Sequence, residues 1–146
     1  MSGQKLRMVS MFLVFATLTG CATFSDVVQG KEAGTAKVYP VTTDQAWAIA
    51  KVVLELEGAN GIEEHREAGY MLTSRDAYVW GFGTLMGAWI EPVGEGQTKV
   101  TAVTKRRVWT NISTALTETG FHRRFAQGVE IVKAGGRSLP KSWVPD

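Results

Sequence analysis

Four strand-like segments follow one another between two helical ones, and that order constrains the fold more than anything else in the chain. The first helix signal is Thr42-Thr43-Asp44-Gln45, a cap residue with Gln three positions on. Ala46, Trp47, Ala50, Val53 and Leu54 then recur at helical spacing, and Gly58 closes the segment. The second helix is expected from about Thr114 to Ala134, with Phe121, Phe125, Val129 and Val132 as its buried stripe and Gly135-Gly136 as its stop. Between them Ile62 to Arg66 and Tyr70 to Arg75 read as one strand pair, and Thr84 to Val93 and Thr98 to Trp109 as another. The second pair turns at Gly94-Glu95-Gly96-Gln97. Lys37 to Val41 reads as a further short strand, and Pro40, which has no N–H, favours a sheet edge for it. Consecutive strands flanked by helices argue for α+β: an antiparallel sheet of four to five strands, in the order β-α-β-β-β-β-α, with two helices on one face. Residues 37–134 have the length of a single domain with one core.

The N-terminal segment belongs to a different regime. Lys5 and Arg7 precede an apolar run from Met8 to Leu18, about 11 residues against the roughly 20 that a membrane-spanning helix needs. The run ends in Leu18-Thr19-Gly20-Cys21, an aliphatic residue, two small ones and the only cysteine. This pattern resembles the lipobox of bacterial lipoproteins. The resemblance implies a signal peptide over 1–20, cleavage before Cys21, a diacylglycerol on its sulfur and an acylated new amino terminus. It makes the protein a lipid-anchored envelope component facing the periplasm, and Ala22 rather than Asp after the cysteine favours the outer membrane. Two or three acyl chains hold a protein to a bilayer where one alone is marginal. Ala22 to Ala36, broken by Gly30 and Gly34, reads as a flexible tether between anchor and domain. Residues 135–146 read as a C-terminal tail.

Charge narrows the partners. The chain has 16 basic and 14 acidic residues, and removing Lys5 and Arg7 with the signal leaves 14 against 14. A neutral mature chain has no global field for nucleic acid, and none is expected as a partner. The element order over Val38 to Lys133 also resembles that of the lipoprotein subunit of the outer-membrane β-barrel assembly machinery. That resemblance carries no functional residue across.

Chemistry-bearing patterns are sparse. His122 follows Glu118 by four residues, so both lie on one helix face, and His65 sits among Glu63, Glu64 and Glu67. A zinc site needs three or four convergent ligands, and a surface pair between Glu118 and His122 accounts for the spacing equally well. No metal or cofactor is assigned. Gly81-Phe82-Gly83 is not followed by a helix, so it is no phosphate loop, and no nucleophile signature occurs.

Two surface candidates remain. Tyr78, Trp80 and Phe82, followed by Trp89, form an aromatic group that either caps the sheet or meets a partner. Lys105, Arg106 and Arg107 form a basic run at the end of the last strand, where strand alternation turns Arg106 away from its two neighbours, and Arg123-Arg124 add a basic pair on the last helix. The run either salt-bridges to Glu118 and the 63–67 acidic cluster or binds an anion. The expected function is a non-catalytic envelope lipoprotein that docks another envelope protein. The alternative is a binding protein for a small ligand, lipid or glycan, which an apolar cleft lined by Trp47, Trp89 and Phe121 would mark. An enzyme built on Glu118 and His122 ranks last.

Overall fold

The structure is a computed structural model that describes residues 20–76, 83–107 and 118–136. Helix α1 (Phe24–Gln29) and a short 3-10 turn lead into β1 (Thr35–Tyr39), α2 (Thr43–Leu56), β2 (Ala59–His65), β3 (Tyr70–Arg75), β4 (Thr84–Gly94), β5 (Gln97–Arg106) and α3 (Glu118–Lys133). The five strands form one antiparallel sheet in the order β1-β5-β4-β3-β2. The protein is therefore α+β, with an open sheet and helices packed on it.

Local chemistry sets the boundaries. Thr42 Oγ1 accepts from the Gln45 amide (3.2 Å) and Gln45 Oε1 accepts from the Thr42 amide (3.0 Å), which satisfies two donors that a helix start leaves bare. Helix α2 then buries Ala46, Trp47, Ile49, Ala50, Val53 and Leu54. The β4–β5 turn uses Gly96 at φ +64, a conformation that a side chain makes costly. A register shift between Pro92 and Gly94 accommodates the proline.

Strand alternation divides the sheet between two cores. Met71, Met86, Ala88, Ile90, Val100 and Ala102 face α2 and α3, where they meet Trp47, Val53, Phe121, Phe125 and Val129. Leu72, Leu85, Trp89 and Val103 face the other way and close around Val27 of α1. Burying a side chain of this size removes about 1.5–3 kcal/mol worth of apolar surface from water, so the second core is not incidental.

The segment after Cys21 departs from the sequence expectation. Residues 22–36 are not a flexible tether: α1 lies on the sheet, Val27 is 0% exposed, and Thr35 and Ala36 already belong to β1. The Asp26 carboxylate accepts from the Thr23 amide (2.6 Å) and hydroxyl (2.8 Å), and these bonds hold its pKa below the usual carboxylate range. A six-residue helix that buries one side chain leaves no apolar stripe to read, and two glycines in the segment disguise it further. Among the described residues two helices thus lie on one face, as expected, and a third short one on the other. The last helix is described from Glu118, so the expected start at Thr114 lies outside the described residues, as does Trp109 beyond β5.

Candidate functional site

One end of the sheet gathers the exposed Cys21, the basic run and two clefts. The Ala22 amide donates to Arg107 O (3.0 Å), and the Arg107 amide donates to Gly83 O (3.2 Å). These bonds tie the residue after the cysteine to the end of β5 and the start of β4. Cross-strand partners continue the line: Arg106 pairs with Thr84, Thr84 with Arg75 and Arg75 with Ala59. Neighbouring strands are about 4.8 Å apart, so Arg75 and Arg106 are roughly 10 Å apart on the same sheet face. Lys105 lies on the opposite face, beside α1, where it faces Asp26 and Gly30. Alternation thus separates Arg106 from Lys105 as expected.

The Glu118 carboxylate, one of the acidic groups expected beside the basic run, accepts from the Thr104 amide (2.9 Å), the Thr104 hydroxyl (3.1 Å) and the Thr35 hydroxyl (2.7 Å). Glu64 accepts from Lys51, Arg66 and the Trp47 indole, with the Lys51 contact foremost in lowering its pKa to about 2. Arg66 also stacks its guanidinium 4.7 Å from the Trp47 ring centre.

His122 is not the surface partner of Glu118. It is buried under β1, with Nε2 at 2.7 Å from Thr35 O and Nδ1 at 2.8 Å from the Tyr39 hydroxyl. A carbonyl can only accept, so Nε2 carries a proton and neutral Nδ1 accepts from Tyr39. Burial lowers the His122 pKa, an effect the Thr35 carbonyl partly opposes, and burial pushes the Tyr39 hydroxyl up to about 12. Both ring nitrogens and the Glu118 carboxylate are therefore spent holding β1 onto α3. Among the described residues no three His, Cys, Asp or Glu side chains converge as metal ligands.

Two clefts open at this end. One, of about 370 Å³, is lined by Gly30, Thr35, Thr104, Lys105 and Glu118 among others, so it brings together two residues that the sequence singled out. The other, of about 440 Å³, lies between the end of α2 and α3 and is lined by Glu57, Asn60, Arg75, Asp76 and Arg124. Glu57, its side chain 5% exposed, is ion-paired with Arg124. Arg75 donates weakly to Glu57 O (3.5 Å), and Asn60 donates to Asp76. Of this second group sequence reasoning singles out only Arg124, in the pair Arg123-Arg124. The group's members are 67 positions apart at the extremes, and only the fold of α3 over α2 joins them.

Compared with protein families, curated proteins and solved structures, the chain matches none.

The aromatic candidates part company. Trp89 is 4% exposed and belongs to the second core, with its ring 5.6 Å from that of Tyr70 and laid across Gly87. It is no surface residue: α1, unforeseen from the sequence, covers it. A Cβ on Gly87 would sit 2.8 Å from both the Trp89 ring and Val27, so only glycine permits this packing. Tyr78, Trp80 and Phe82 lie outside the described residues. Trp47 and Phe121 belong to the first core, on the opposite sheet face from Trp89, and the three line no common cleft.

Proposed function

We propose that this protein is a non-catalytic envelope lipoprotein, held to a membrane through Cys21, whose domain docks another envelope protein. The observation that carries the docking reading is β1. It is an edge strand, its residues 35–38 are exposed, and Val38 is 55% exposed. Beyond Thr35, whose carbonyl His122 engages, such an edge offers main-chain groups to an incoming strand, with Val38 as an apolar grip. Pro40 limits the offer to the few residues before it, which guards against indiscriminate pairing. The anchor reading rests on the lipobox pattern at Leu18-Thr19-Gly20-Cys21, and the exposure of Cys21 is compatible with it. Ala22 after the cysteine supports the outer membrane. The non-catalytic reading draws on the internal engagement of Glu118 and His122.

A photo-crosslinker at Val38, used in intact membranes, tests the proposal. A discrete protein adduct is expected. Adducts to glycan or lipid alone at this position would overturn the docking reading. The alternative, a small-ligand binder, has one observation in its favour: the 440 Å³ cleft with Arg75 and Arg124. Its walls carry both signs of charge, Glu57 and Asp76 with Arg75 and Arg124, and include none of Trp47, Trp89 and Phe121, which would have marked an apolar ligand site.

A further inference from the structure

The cationic side chains at the Cys21 end are distributed around both faces of the sheet. Arg75 lies on the face covered by α2 and α3, Lys105 lies on the face of α1, and Arg107 is exposed at the tip. The carboxylates at this end are mostly engaged internally: Glu57 with Arg124, Glu118 with Thr35 and Thr104, Asp76 with Asn60, and Asp26 with Thr23. At the opposite end, the β4–β5 turn carries Glu95 and the start of α2 carries Asp44. The short path from Cys21 adds a geometric restriction, because Ala22 is already bonded to β5 and no spacer separates cysteine from sheet.

We propose that this end of the sheet lies on the bilayer, with Lys105, Arg107 and Arg75 binding the phosphates of anionic phospholipid headgroups. The proposal rests on the anchor reading above and adds an orientation to it. An acylated Cys21 brings the end of β5 to headgroup depth, and a cation held at an anionic surface favours the bound state about fivefold. Strands β4 and β5 run away from the membrane for roughly ten residues at 3.4 Å each, about 30 Å. The acidic β4–β5 turn therefore stands off the surface, and β1 lies alongside it, open to a periplasmic partner.

The test uses the full chain, processed and purified from bacterial membranes, in vesicles of phosphatidylcholine with and without phosphatidylglycerol. Amide hydrogen exchange at residues 104–107 is the readout. Slower exchange in the anionic vesicles is expected. Lys105→Glu with Arg107→Glu should abolish that difference, while Lys133→Glu, at the far end of α3, should leave it intact. Equal exchange in the two vesicles, or a difference that survives the double charge reversal, overturns the headgroup surface. The mass of the Cys21 peptide tests the anchor separately. An unmodified thiol overturns both readings, whereas an acylated Cys21 with no anionic dependence overturns the headgroup surface alone.

Discussion

Tyr39→Phe removes one oxygen atom and isolates the role of the buried histidine. The Phe ring keeps the contact with Phe125, whose centre lies 4.5 Å from that of Tyr39. What disappears is the hydroxyl that donates to His122 Nδ1 at 2.8 Å, together with its longer contact to His122 O at 3.2 Å. A buried acceptor left without a donor costs about 1–3 kcal/mol. With a urea dependence of about 2 kcal/mol per molar, the unfolding midpoint should fall by roughly 1 M at pH 7.5. The pH dependence follows from the direction of the His122 shift. Its folded pKa lies below the ordinary 6.5, because burial disfavours the cation and Lys37 adds to this, while the Thr35 carbonyl and Glu118 oppose it. The unfolded chain therefore takes up the proton first. Stability from this group is complete above pH 6.5 and declines as the pH falls below it. His122→Gln should flatten that decline. Paired urea titrations of the wild type and the two variants at pH 7.5 and 5.5 measure both effects. An unchanged midpoint for Tyr39→Phe would falsify the proposed hydrogen-bonding arrangement.

Other expectations are independent of that network. Gly87→Ala should destabilise by about 1–3 kcal/mol in thermal or urea unfolding, since its Cβ meets the Trp89 ring and Val27 at 2.8 Å. Val27→Ala, which removes two buried carbons, should cost about 1.6 kcal/mol plus a cavity contribution; if residues 22–36 were an undocked spacer, no change would be seen. Thr42→Ala should cost about 1 kcal/mol through loss of the α2 cap, read from the same unfolding curves. Glu64, depressed to about 2 chiefly by Lys51, contributes stability that is present above pH 4.5 and lost as the pH falls towards 2. Glu64→Gln should reduce the acid dependence over that window.

Signals confined to a few neighbouring residues were legible in the sequence. The Thr42–Gln45 cap, the bounds of β3 and the β4–β5 turn each depend on chemistry within about four positions, and each is found where it was expected. Non-local decisions were not legible. Alternation assigns Trp89 and Ile90 to opposite faces, but it does not say that α1 will cover the Trp89 face. The Glu118–His122 spacing suits a surface pair, and only the placement of β1 beside β5 brings Thr35 and Tyr39 over the imidazole. Arg75 carries no local mark, and Arg124 is marked only as half of the basic pair Arg123-Arg124. Their cleft is a product of α3 packing beside α2.

The docking of α1 also sets an order of events. A helix of six residues has no stability of its own in water, and its partners Leu85, Trp89 and Val103 come some 60 to 75 positions later. Closing so long a loop is worthwhile only after β4 and β5 have paired and their shared surface exists. The segment from Phe24 to Gln29 therefore becomes structured only after the sheet that supports it. The completed sheet then holds the residue after Cys21 through the Ala22–Arg107 bond, while Cys21 itself remains exposed.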